Sequence, residues 1–275
     1  MGYPFVESIK SALPLCDEYI VNIGYSEDDT LEMVKDIGNS KIRIIQSQWN
    51  ENMRIGGYIC GQQMDIAHFN CTGDWALYLE ADEVIHEDDI TKIQKAMEIY
   101  LYDKDVEALV FDYIHFYGNH NTYAWSPRWY RRAVRIIKNN IRIHSPVDGL
   151  SFIVLTSNKK GRYPKAALAN ATIYHYGWIR SQEQWNEKSK RFCKYWGGIP
   201  SKIDYSQIDP KVLKEFKGTH PAAMKDWLPK DVNSIFKADP NHVLTRREKK
   251  HRLVLRLEKI FGIDLSKKHF TLVRK

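Results

Sequence analysis

Cysteine is scarce in this chain, with four among 275 residues, at positions 16, 60, 71 and 193, and no C-x-x-C pair. The spacing supports neither a disulfide scaffold nor a structural zinc site, and predicts buried free thiols. Long apolar runs are missing too. No stretch approaches the ~18 to 20 consecutive apolar residues that span a bilayer, and the first twenty residues lack the charged-then-apolar order of a secretory signal. A cytoplasmic protein is the expectation. No glycine-rich loop follows a first strand, which argues against a metal-dependent nucleotidyltransferase. Internal repeats and low-complexity segments are absent as well.

What is present is an ordinary globular composition, 43% apolar and 27% charged, with a generous 12% of aromatic residues. The net charge of +7 is unevenly placed. From Thr245 to Lys275 there are eleven Lys or Arg against three Asp or Glu, so the rest of the chain is close to neutral. Basic character belongs to this tail, and a nucleic-acid partner is not implied. Within the tail Leu253, Leu257, Ile260 and Phe261 recur at helical spacing among cations. That pattern suits a helix lying on an anionic membrane, and equally a solvated helix packed on the body.

Hydrophobic periodicity alternates between strand and helix. Helices are expected over Pro4 to Leu15, Thr30 to Ile37, Gly57 to Phe69 and from Glu87 to Leu101. Strands are expected over Tyr19 to Ile23, Ile42 to Ile45, Trp75 to Leu79 and Ala108 to Phe116. Later strands are expected within Ile136 to His144, Leu150 to Thr156 and Ala171 to His175, with site-shaping loops over Gly118 to Arg135. Beyond Ser181 the pattern is helical and charged, so a boundary falls near 180. The class this predicts is α/β, a mostly parallel sheet covered by helices on both faces, with a helical C-terminal extension over 181–275.

The run Trp75-Ala76-Leu77-Tyr78-Leu79 ends abruptly in Glu80-Ala81-Asp82-Glu83. Ligands of α/β sheets bind beyond the carboxyl ends of the strands, which is where these acids fall. In extended chain Glu80 and Asp82 share a face, and two carboxylates aimed at one point suit Mg²⁺ or Mn²⁺ bound jointly with phosphate oxygens. Acids that cap the following loop would read the same way.

At these residues the chain resembles the family 2 glycosyltransferases of bacteria, enzymes with the GT-A fold. The segment DEYIVNIGYSEDDT, residues 17–30, is similar to the one ending in the turn near the donor nucleoside, with Asp28 on that turn's aspartate. TGDWALYLEADEV, residues 72–84, is similar to the acid-x-acid segment, with Asp82 on the metal-binding aspartate and Glu80 where aspartate is commoner. WYRRAVRIIKN and HSPVDGLSF resemble the acceptor side, with Asp148 near the catalytic base, and YHYGW places His175 near metal or diphosphate. The likeness covers roughly residues 1–180. It also implies an opening strand that this sequence, already entering its first helix at Pro4, does not show, so that either the start lies upstream or part of the donor pocket is missing.

The resemblance implies transfer of a sugar, with inversion, from a nucleotide-diphosphate sugar to a saccharide or lipid-linked acceptor of the cell envelope. The metal would sit at Asp82 and His175, and Asp28, Glu80, Asp82 and Arg135 would hold the donor. Arg131 and Arg132 are the other cations that could meet phosphate. Trp125, Trp129, Tyr117 and Tyr123 either stack on sugar or build core. The rival expectation is an inactive sugar-binding or scaffold protein of the same fold.

Overall fold

The computed structural model describes residues 2–156, 160–230, 232 and 234–273. Helix α1 (Phe5–Ala12) leads, by a 3-10 turn, to strand β1 (Tyr19–Gly24), helix α2 (Thr30–Lys35) and strand β2 (Ile42–Ser47). The two strands pair in parallel, from Tyr19 opposite Ile42 to Gly24 opposite Ser47. Ile9, Ile23 and Val34 form their shared core. Helix α3 (Tyr58–His68) precedes strands β3 (Trp75–Leu77) and β4 (Glu83–Ile85), and helix α4 (Ile90–Tyr100) follows.

Next come the long strand β5 (Ala108–Tyr117), its hairpin partner β6 (Asn119–Ala124) and β7 (Arg132–Lys138). Short strands β8 (Ile143–His144), β9 (Ile153–Leu155) and β10 (Gly161–Arg162) make a small antiparallel sheet. Strand β11 (Lys165–Trp178) is the longest element of the sheet. Helix α5 (Gln182–Phe192), strand β12 (Leu213–Glu215), helix α6 (Arg246–Phe261) and strand β13 (Thr271–Leu272) complete the order.

Eight strands form the main sheet. Strand β11 runs parallel to β5 on one side and to β13 on the other, and β4 joins it antiparallel near its end. Strand β7 lies antiparallel to the first half of β5 and carries β3 on its outer side. The α/β class is as expected, with parallel pairing along β5, β11 and β13 and antiparallel strands around them. Alternate residues of β5 feed two cores: Leu109, Phe111 and Tyr113 face α4, while Ala108 and Val110 face Val134, Phe152 and Phe270.

Two expectations change. The segment 118–135 holds β6 and the start of β7 in place of loops, because Asn119 to Thr122 pair by backbone without apolar alternation to announce it. The extension beyond 181 contributes β12 and β13 to the main sheet, and Arg131 clamps Glu258 at 2.8 Å and Asp264 at 3.2 Å, so structure crosses the expected boundary. Among the described residues no ladder joins β1 and β2 to the main sheet. Side chains do that work: Glu18 accepts from the Thr72 hydroxyl at 2.8 Å, and α1 packs against β4.

Candidate functional site

Strand β3 stops at Leu77, and the acids follow in a turn closed by the Glu83 N–H donating to the Glu80 carbonyl at 3.0 Å. A turn breaks the alternation assumed for extended chain, so Glu80 and Asp82 do not share a face. Helix α1 fixes this turn. The Ser8 hydroxyl donates to the Glu80 carbonyl, and the Ile85 N–H donates to the Ser11 hydroxyl.

Glu83 and Arg135 form the buried base of the cluster, both fully excluded from solvent. The guanidinium donates to Glu83 through Nε at 2.8 Å and Nη2 at 2.6 Å, to Glu80 through Nη2 at 3.2 Å, and to the carbonyls of Val134 and Gly149 through Nη1. All five N–H groups are spent. Arg135, expected to hold the donor, therefore builds the site instead, and the Tyr113 hydroxyl donating to Glu83 at 2.9 Å completes the network. Glu80 keeps 34% of its side chain exposed. Desolvation, then repulsion from Glu83, pushes its carboxyl up to about 8.

Asp82 is buried at 4% exposure and turns the other way. Its Oδ2 accepts from Arg180 Nη2 at 2.9 Å, and its Oδ1 lies 3.7 Å from His175 Nε2. Burial works to raise this carboxyl, but His175, Lys188 and Arg180 together hold it below the ordinary value. The His175 ring is set by a neighbour. His115 Nε2 lies 2.8 Å from the Tyr130 carbonyl, which can only accept, so His115 carries its proton there. Burial, and then the neighbouring His175, pushes His115 well down, and burial lowers His175 against the pull of the Asp82 charge. His115 Nδ1 lies 3.2 Å from His175 Nδ1, and the Nε2 edge of His175 faces Asp82.

Two glycines make room. A Cβ on Gly177 would lie 2.7 Å from Asp82 Oδ2 and 2.8 Å from His175 Nε2, and one on Gly149 would lie 2.6 Å from Glu80 Oε1. Gly149 thereby seats the Asp148 loop against the acids. Asp148 is half-buried, its Oδ1 accepts from the Leu150 N–H at 3.2 Å, and among the described residues it pairs with no cation. Asp28 stays outside. It is exposed and accepts from the Ser26 hydroxyl at 2.8 Å and the Thr30 N–H at 3.1 Å, in the turn that leads into α2.

The model of glycosyl transferase family 2 matches residues 3–154, more than half of the chain. The chain belongs to glycosyl transferase family 2. No curated protein matches it. Family membership accounts for the α/β fold of GT-A type and makes this a glycosyltransferase chain.

Within this family 2 chain, Asp82 Oδ1 and His175 Nε2 lie 3.7 Å apart, close enough for one ion to meet both once Nε2 is unprotonated. That pair fits a divalent ion that draws its remaining ligands from phosphate and water. Among the described residues no third His, Cys, Asp or Glu joins them. Arg132 pairs with Asp112, Tyr117 and Trp129 are core, and Trp125 lies under Arg131. Two surface cavities of about 400 and 440 Å³, one lined by α2 and β2 and one by Trp75 and Met97, lie away from the acids. Sequence reasoning missed Arg180, Lys188 and His115. Arg180 had a visible signal, a cation two residues past an apolar strand end.

Proposed function

We propose that the chain transfers a sugar, with inversion, from a nucleotide-diphosphate sugar to a saccharide or lipid-linked acceptor. The observation that carries this reading is the buried Asp82, held between His175 and Arg180 at the end of β11. Asp82 and His175 would hold Mg²⁺ or Mn²⁺, which when bound supplies charge stabilisation to the leaving diphosphate. Arg135 and Glu83 keep the turn rigid, so the carboxylate is presented without reorganisation. Asp148, unpaired beside Glu80, accepts the proton of the attacking acceptor hydroxyl.

Helix α6 leaves Leu253, Ile260 and Phe261 exposed among Arg256 and Lys259, which supports contact with an anionic membrane on the cytoplasmic side. No helix among the described residues is long and apolar enough to cross it. Co-sedimentation with phosphatidylglycerol vesicles tests the contact, and protein left in the supernatant rejects it.

The occupied Oδ2 of Asp82 favours a second reading, an inactive sugar-binding or scaffold protein. Release of nucleoside diphosphate from a nucleotide-sugar panel, with Mn²⁺ and an acceptor extract, separates the two. Asp82→Ala should lose at least ~100-fold in rate, as removal of one transition-state stabilising group does. Equal turnover in both proteins, or none in either, sinks the enzymatic reading.

A further inference from the structure

Arg180 is buried to 96%, and only its Nη2 has a partner, at Asp82. Its Nε and Nη1 are both buried with no hydrogen-bond acceptor among the described residues. A guanidinium stripped of water with two N–H positions idle is costly unless something else fills them. Its Cζ lies 3.4 Å from the centroid of the Tyr3 ring. Lys188 rests on the same ring, 5.3 Å from the centroid, and 5.5 Å from that of Trp185. Among the described residues Lys188 makes no hydrogen bond and no ion pair within 4.0 Å, and its charge acts on Asp82 from further off. Two cations therefore share one aromatic platform beside the acid turn, one with directed donors to spare and the other with no carboxylate.

Local sequence places both. Arg180 follows the last residues of β11, and Ser181 caps α5 in a reciprocal box with Gln184, which fixes the turn after it. Lys188 lies further along α5, and its neighbour Trp185 stacks on Trp178 of β11 at 4.2 Å, holding the helix to the sheet.

We infer that Arg180 and Lys188, with Tyr3 beneath them, form the site for the donor's diphosphate. The planar guanidinium offers N–H groups to phosphate oxygens while keeping Asp82, and the ammonium adds a mobile point charge. This assignment deepens the donor reading above and rests on it. It gives the extension beyond 181 a share in a site that the resemblance put wholly before it.

Calorimetric titration of the full chain with UDP, GDP and ADP, each against its monophosphate, in EDTA and in Mn²⁺, tests the assignment. The best native ligand should prefer diphosphate over monophosphate in both media. Lys188→Ala, which breaks no ion pair, should cut that preference about tenfold, and Arg180→Ala by about tenfold to a hundredfold. Arg180→Lys keeps the charge opposite Asp82 and guards against misfolding, and it should recover only part of the loss. Diphosphate preference unchanged in Lys188→Ala and Arg180→Lys overturns the inference and leaves the donor reading standing. A native chain that binds no nucleoside diphosphate in either medium overturns both.

Discussion

Glu80 and Asp82 sit two residues apart and behave oppositely, because one turns toward Glu83 and the other toward His175, Lys188 and Arg180. Folding raises the Glu80 carboxyl from 4.5 to about 8, so within that window the folded state holds a proton that the unfolded chain has released. Stability from this group is complete below the unfolded value and falls as pH rises toward the folded one. The buried His115 and His175 act with opposite sign, gaining stability up to their ordinary value of 6.5. The interval from about pH 7 to 8 is therefore governed by Glu80. Urea midpoints should decline across it in the native protein and stay flat in Glu80→Gln; equal slopes would show that Glu80 ionises normally.

The acids were legible at the residue scale, but their partners were not. Nothing in the local spacing of Arg135 tells that its five N–H groups converge on residues 80, 83, 134 and 149. That convergence depends on which strand pairs with which, and here β7 lies between β3 and β5. Asp28 shows the converse. Its place in the motif is visible in the sequence, and its carboxylate accepts locally from Ser26 and Thr30.

Among the elements, β11 decides most about the site. It brings His175 level with Glu83 of β4 and ends just before Arg180. Gly177 lies between these residues and must lack a side chain for Asp82 to reach them. Gly177→Ala should cost ~1 to 3 kcal/mol in urea unfolding, as overpacking of a closed site does. It should also reduce nucleoside diphosphate release. Native stability with native turnover would show that the turn yields freely. Sequence reading found only the middle of β11, because Lys165 to Asn170, apart from Leu168, are small or polar residues whose strand character comes from pairing with β5 and β13.

At the scale of the whole molecule, the chain ties its end back to its centre. Strand β13 lies beside the start of β11, and Phe270 is buried with Met64, Ala76 and Val110. Phe270→Ala should cost ~3 to 5 kcal/mol in a single cooperative transition. Two separate transitions would instead mark the extension as an independent domain. The strand pairing across residue 180 was not legible in the sequence, since a charged, helix-rich tail gives no local hint that two of its short segments join a distant sheet.

Among the described residues the β1–β2 pair shares no backbone ladder with the eight-stranded sheet, and α1 and α3 mediate its attachment through side chains. An attachment of that kind lacks the row of backbone hydrogen bonds that ties neighbouring strands across a sheet. The placement of the Ser26 to Thr30 turn against the acid turn is therefore set by helix packing, through the same α1 whose Ser8 and Ser11 anchor residues 80 and 85.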